Sequence, residues 1–364
     1  MEIKVLQIIP TLIAGGAEKL LIDSIPFYHK NGIKVDVLLL NGIETPFLNE
    51  LKKHKYCNVY TISTSTVYSP ALIFKIKPFL KKYDLAHVHL FPALYWVVMA
   101  KILARSPIKL IYTEHNTSNR RRKLFLLKKV ERFFYGYYDK IITIAGEVDF
   151  QLKKHLSFPN HRFQMINNGV NIQEFEMSHP YLKSDFFSAS CKILIQVSSF
   201  REQKDQITLI KAVSKLPSEI KLLLVGDGPL RTKCEKLTQK LDLLNRIKFL
   251  GNRMDVPKLL KTADIIVLSS FYEGLSLSSI EGMASGRPFI ASNVPGLREI
   301  VDGAGILFEK ENEIELASII LKLFADKEYY DRVVDDCMSR ARNYDINTMV
   351  YNYTEVFKNV ILAS

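Results

Sequence analysis

The stretch Ile265-Ile-Val-Leu-Ser-Ser-Phe-Tyr-Glu-Gly-Leu-Ser-Leu-Ser-Ser-Ile-Glu-Gly-Met-Ala-Ser-Gly-Arg-Pro288 decides how the chain is read. Ile265–Leu268 is a short, wholly apolar run, which suits a strand covered on both faces. A polar loop through Glu273 and Gly274 follows, then a helix over Leu277–Ala284, closed by Gly-Arg-Pro. Eight helical residues would rise ~12 Å. Because the first part of the interval is loop, Glu273 is expected at the helix mouth and Glu281 about a turn inside. Amides around Leu275–Ser278 have no acceptor in the helix and carry the positive end of its dipole, so a diphosphate is favoured between the two carboxylates. One carboxylate then serves sugar hydroxyls and the other ribose hydroxyls. Two glutamates on an ordinary surface helix explain neither the Gly-rich entrance nor the Gly-Arg-Pro exit.

Outward from this stretch, β-rich runs alternate with helix-length segments. Strands are expected at Lys4–Ile9, Lys34–Leu40, Val59–Ile62, Leu85–His89, Lys109–Thr113 and Lys140–Ala145. Helices are expected at Ala17–Lys30, Pro70–Lys82, Ala93–Ala104 and Arg121–Tyr137. After a polar stretch, Gln173–Ala189, the pattern restarts with strands Lys192–Val197, Lys221–Val225, Ile247–Leu250, Ile265–Leu268 and Pro288–Ala291. Its helices are Asp205–Lys215, Pro229–Leu241 and Leu277–Ala284. Repeated strand–helix–strand units imply parallel sheets with right-handed crossovers, hence an α/β chain of two doubly wound, Rossmann-like domains facing a cleft. The expected boundaries are 1–172, 173–345, and a last helix within 346–364 that packs back toward the first domain.

Three further glycine or cation motifs follow strand ends. Thr11-Leu-Ile-Ala-Gly-Gly-Ala-Glu18 places Gly15 and Gly16 before a helix, as either a tight turn or a phosphate approach. It lacks the G-x-G-x-x-G dinucleotide fingerprint, and no acid ends the second strand, which argues against NAD. Ser198-Ser-Phe-Arg-Glu-Gln-Lys204 carries Arg201 and Lys204 three residues apart, either a solvated pair or two cations aimed at one diphosphate. Val225-Gly-Asp-Gly-Pro-Leu230 is a strand-to-helix turn in which Gly226 could admit a ligand.

The composition narrows the class. Of 364 residues, 48% are hydrophobic and 24% charged, which excludes a disordered chain and provides for two cores. Four cysteines without C-x-x-C spacing fit reduced thiols in the cytoplasm. No apolar run reaches a membrane-spanning length, and the start, Met1–Pro10, reads as a strand rather than a signal peptide. Residues 1–176 carry 25 Lys+Arg against 14 Asp+Glu, whereas 177–364 carry 25 against 24. The first half is therefore basic by 11 charges and the second by 1. Nucleic acid is not the expected partner, since no recognition motif accompanies the charge. Arg120-Arg-Arg-Lys123 precedes Leu124–Leu127, Lys128, Lys129, Phe133 and Phe134, a mixture that fits either a core-packed helix or an anionic membrane surface.

Together these motifs resemble the family 4 retaining glycosyltransferases, which have the GT-B fold. The likeness runs over essentially the whole chain and is most specific at the E-x7-E element, Glu273 and Glu281. Gly15–Glu18, Arg201 with Lys204, Gly226–Leu230 and Asn168-Gly-Val-Asn-Ile-Gln-Glu-Phe175 support it in the family's order. The resemblance implies that Glu273 holds donor-sugar hydroxyls and Glu281 the nucleotide ribose. Arg201 and Lys204 would grip the diphosphate, helped by Gly15, Gly16, Gly274, Leu275, Ser276 and Leu277. It also implies that His115, in Tyr112-Thr-Glu-His-Asn116, contacts the donor sugar, and that Arg253 and Met254 border the base. The implied donor is a nucleotide-diphosphate sugar, UDP before GDP-mannose, and the acceptor a lipid-linked or oligosaccharide one in surface polysaccharide or glycoconjugate assembly. No metal and no cofactor are implied, since no D-x-D-like pair stands at a strand end. The implied location is cytoplasmic, peripheral to the inner face of the plasma membrane. Ser199, Asn171 and Ala145 depart from the family pattern without removing a charge the chemistry needs. A UDP-sugar 2-epimerase of the same architecture and a sugar-nucleotide-binding protein without turnover are the alternatives.

Overall fold

The computed structural model describes residues 2–13, 15–53, 55–115 and 125–363. The chain divides into two compact units: unit 1 holds residues 1–169 with 346–364, and unit 2 holds 170–345.

Unit 1 is built on seven strands, β1 (Ile3–Ile9), β2 (Ile33–Leu39), β3 (Val59–Thr61), β4 (Leu85–His89), β5 (Lys109–Glu114), β6 (Lys140–Thr143) and β7 (Phe163–Met165). All are parallel, in the order β3-β2-β1-β4-β5-β6-β7. Val5–Ile9 of β1 is fully buried, and Gln7 is its one polar residue. Helix Gly16–Lys30 covers one face through Leu21, Ile25 and Tyr28, and Tyr28 stacks on Phe357 of helix Ile346–Leu362 with ring centroids 5.7 Å apart.

Unit 2 repeats the plan with six parallel strands, β8 (Lys192–Val197), β9 (Ile220–Val225), β10 (Ile247–Gly251), β11 (Ile265–Leu268), β12 (Phe289–Ser292) and β13 (Ile306–Phe308). Their order is β10-β9-β8-β11-β12-β13. In each sheet the winding reverses beside the first strand, between β1 and β4 and between β8 and β11, the position where such folds open a crevice at strand carboxyl ends.

The structure departs from the sequence expectations in particulars. The helix expected over Pro70–Lys82 is two pieces, Leu72–Ile76 and a single 3-10 turn Phe79–Lys81, because Pro78 cannot donate into a continuous helix. The strand expected over Lys140–Ala145 ends at Thr143. Strands β7 and β13 were not anticipated; each is only three residues long at a sheet edge. Among the described residues no helix is long and apolar enough to cross a membrane.

Candidate active site

In unit 2 the two strands flanking the winding reversal deliver their loops to each other. Loop Ser198–Asp205 leaves β8 and loop Ser269–Ser276 leaves β11. Phe271 N–H donates to Gln203 O at 2.8 Å, and the Gln203 amide donates to Tyr272 O at 2.9 Å. Beneath them lies a buried polar lattice. Gln196 donates to Lys204 O at 3.0 Å, Ser269 Oγ to Gln196 Oε1 at 2.9 Å, and Gln206 to Ser199 O at 3.0 Å. Asp205 caps helix Gln206–Ser214 by accepting from Thr208 N at 3.3 Å; its carboxyl lies above the usual range because it is buried.

This lattice aims Lys204 at Glu273. Lys204 Nζ lies 2.5 Å from Glu273 Oε1, and Ser270 Oγ donates to the same oxygen at 2.6 Å. Glu273 is 8% exposed, so its charge is held by an ammonium and a hydroxyl rather than by water. Oε1 is thus taken twice. Among the described residues Oε2 receives no donor. Four residues on, helix Leu277–Ala284 begins without a side-chain cap at Ser276, leaving the Leu277 and Ser278 amides without acceptors in the helix. Glu281 lies within that helix and is buried. Arg201, one turn before Lys204, is exposed and makes no side-chain ion pair among the described residues.

Gly226 serves its own chain. Its φ is +126°, and a Cβ there would meet Ser198 O at 2.2 Å, so the turn after β9 supports the Ser198 loop by direct backbone packing. Gly296 does the same for the other loop: its φ is +84°, and a Cβ would lie 2.2 Å from Glu273 O. Arg253 is engaged: its Nε and Nη2 reach Asp255 at 2.8 and 2.5 Å. That guanidinium holds the Asp255 carboxyl down to about 2. Met254 beside it is 45% exposed.

Unit 1 carries His115, directly after β5. His115 Nε2 is 3.1 Å from His89 Nδ1, and His89 Nε2 is 2.7 Å from Gln7 Oε1. His87 Nε2 meets Thr113 Oγ1 at 2.7 Å, and Thr113 meets the Tyr353 hydroxyl at 3.1 Å. Burial pushes His115 down to about 4 and His87 to about 3, the latter also because a second proton beside a protonated His115 would be repelled; His89 is lowered in the same way. The three imidazoles are therefore neutral at pH 7. They line a cavity of about 20 Å³ together with Gln7, Tyr28 and Tyr353, large enough for one water. Gly15 and Gly16 are exposed, Gly15 in extended backbone and Gly16 opening helix Gly16–Lys30. On helix Phe125–Gly136, Phe134 packs on Tyr95 with centroids 4.3 Å apart, while Phe133 is 52% exposed. Arg120–Lys123 and Leu124, like Asn116 and Ala14, lie outside the described residues.

Sequence reading missed Gln7, His87, His89, Gln196, Ser269, Ser270 and Gly296. A signal existed for two of them: His87-Val-His89 places both rings on one sheet face at a strand's carboxyl end.

Residues 14–174 match the family described as Glycosyltransferase Family 4, and residues 183–336 the family described as Glycosyl transferases group 1. An N-acetyl-alpha-D-glucosaminyl L-malate synthase of Bacillus anthracis is 29% identical, covering 75% of this chain and 74% of that protein. The putative glycosyltransferase EpsD of Bacillus subtilis is 30% identical, covering 68% and 69%. A UDP-Gal:alpha-D-GlcNAc-diphosphoundecaprenol alpha-1,3-galactosyltransferase of Escherichia coli is 25% identical, covering 73% and 72%. Among solved structures, Anabaena HepE in complex with UDP and glucose superposes with a TM-score of 0.84 at 22% identity, covering 98% of this chain and 100% of that one.

Proposed function

The chain belongs to the family 4, group 1 glycosyltransferases, with two Rossmann-like units of the GT-B type, and from that premise we propose its reaction. It transfers a hexose or N-acetylhexosamine, with retention of configuration, from a nucleotide-diphosphate sugar to a lipid-linked or oligosaccharide acceptor in surface polysaccharide or glycoconjugate synthesis. The observation that carries this reading is the Lys204–Glu273 pair at the open start of helix Leu277–Ala284, with Glu281 inside it. UDP is favoured over GDP because UDP is named with HepE and UDP-galactose with the Escherichia coli relative. The lipid-linked acceptor is favoured by that same relative's diphosphoundecaprenol substrate.

In the transfer, the bond between the anomeric carbon and the diphosphate oxygen breaks. The acceptor hydroxyl oxygen bonds to that carbon from the same face, and its proton passes to the departing phosphate. Negative charge builds on the leaving group, where Arg201, the two remaining Lys204 protons and the Leu277 and Ser278 amides act. With these cations available for the phosphate charge, no metal is required. Glu273 Oε2 accepts from sugar hydroxyls and Glu281 from the ribose. Gly274, Leu275 and Ser276 border the phosphates. The loop of Arg253 and Met254, braced by Asp255, borders the base, and Gly226 supports the Arg201 loop from behind. His115 meets a donor-sugar hydroxyl, and the Gly15 and Gly16 amides approach a phosphate.

Release of UDP or GDP from a panel of donor sugars, with the anomeric configuration of the product read by NMR, tests this reading. Turnover of a UDP-sugar with retention is expected; no turnover of any donor, or inversion, would reject it. The exposed Phe133, with Lys129 and Arg132 on the same helix, supports docking on anionic lipid. Vesicle flotation should then depend on anionic lipid content; equal flotation with neutral vesicles counts against docking.

A further inference from the structure

His115 is the family's expected contact to the donor sugar, but nothing in that expectation says what fixes its ring. The contacts behind it do. Parallel pairing sets Gln7 of β1 opposite His87 of β4, and His89 of β4 opposite Thr113 of β5, so residues from three adjacent strands converge beneath His115. Gln7 Oε1 can only accept, so at 2.7 Å His89 Nε2 carries the hydrogen. A neutral imidazole has one N–H, which makes His89 Nδ1 an acceptor. The hydrogen in the 3.1 Å contact between the rings then belongs to His115 Nε2.

We propose that His89 and Gln7 are positioning residues for the transfer: they hold His115 as the tautomer protonated at Nε2, leaving Nδ1 as the acceptor presented to a donor-sugar hydroxyl. The inference rests on the reading of His115 given under Proposed function. Gln7 and His89 are 2% and 6% exposed, and the His87 ring lies against His89 with centroids 4.1 Å apart and planes tilted by 46°, so close packing opposes inversion of the relay by turning a side chain. Tyr28 faces the cluster from helix Gly16–Lys30 and Tyr353 from helix Ile346–Leu362. Among the described residues lining the cavity there is no carboxylate and no lysine or arginine, so none of these charges competes with Gln7 in choosing the tautomer. Burial keeps His115 neutral, and only a neutral ring has a tautomer to choose.

The test combines a spectroscopic and a kinetic readout on the full chain. In histidine-15N-labelled protein, His115 should show a protonated Nε2 and a bare Nδ1, and Gln7→Met, close in shape but without the acceptor, should mix the two tautomers. Gln7→Met and His89→Leu should lower kcat about tenfold while donor KM stays within about twofold. His89→Asn, whose Oδ1 stands near the place of Nδ1, should restore most of kcat. A His115 protonated at Nδ1, or wild-type kcat in both Gln7→Met and His89→Leu, overturns the proposal. His115→Ala separates the two layers. Loss of kcat there with both Gln7→Met and His89→Leu unaffected rejects the relay alone. Wild-type kcat in His115→Ala rejects the catalytic use of His115 and with it the proposal, even if the tautomer is as stated.

Discussion

The two units put polar side chains at the same place, where the winding of a parallel sheet reverses, but they use different chemistry there. Unit 1 gathers neutral rings and an amide, Gln7, His87, His89 and His115, whose imidazoles stay uncharged because they are buried. Unit 2 gathers charge, with Lys204 and Ser270 on one oxygen of Glu273 and unsatisfied helix amides four residues on. A buried imidazole avoids the cost of charge by giving up its proton; a buried carboxylate keeps its charge only while a counter-ion touches it. On the proposed reading, the first arrangement would present one directed lone pair to a hydroxyl and the second would receive the charge of a diphosphate.

Lys204→Met is the hardest blow to this contrast. It leaves Glu273 without its counter-ion, and kcat for nucleotide release should fall by about 10²–10³ while unit 2 loses about 3 kcal/mol in denaturant unfolding. Adding Glu273→Gln should recover much of the stability and none of the activity. A Lys204→Met enzyme with near wild-type turnover would erase the distinction between the units.

Acid should act next, and on unit 1. The unfolded chain's histidines take up protons near pH 6.5, whereas folded His115 and His87 do so only near 4 and 3. Their lowered values mean that stability is full above pH 6.5. Below it, stability falls by about 1.4 kcal/mol per pH unit for each histidine. In unit 2, Asp255 is held at about 2, so its contribution survives to much lower pH. Peptide-resolved hydrogen exchange at pH 5 should therefore show unit 1 opening while unit 2 remains protected; equal loss in both would break the comparison.

The glycine loops sharpen it on a smaller scale. Gly226→Ala forces a side chain into φ +126° and against Ser198 O, and should cost unit 2 about 2 kcal/mol or more. Gly15→Ala meets only the movable Glu18 carboxylate in extended backbone and should cost unit 1 less than about 1 kcal/mol. Thermal unfolding of the two variants checks the order.

The fold was legible where apolar runs are long. Val5–Ile9 and Ile265–Leu268 announce buried parallel strands, and the Glu273–Glu281 interval places a loop and a helix start correctly. Edge strands Phe163–Met165 and Ile306–Phe308 are too short to show a period, and Pro78 divides a segment whose apolar spacing alone reads as one helix. In the candidate site, charge types were readable but their pairing was not. Lys204 and Glu273 are 69 residues apart, so the ion pair exists only because β8 and β11 are neighbours. The same holds for His89 at the end of β4 and His115 directly after the adjacent β5, 26 residues apart. Gly226 looked like a ligand approach in the sequence, and the structure shows the chain's own backbone in that space.

The central claim, that unit 2 seats a nucleoside diphosphate between the Lys204 loop and helix Leu277–Ala284, is tested most directly by hydrogen exchange of the intact protein with and without a saturating UDP-sugar. Protection is predicted to concentrate in peptides spanning residues 199–204 and 274–281. Binding with protection confined to other segments, or no protection at all under turnover conditions, would contradict it.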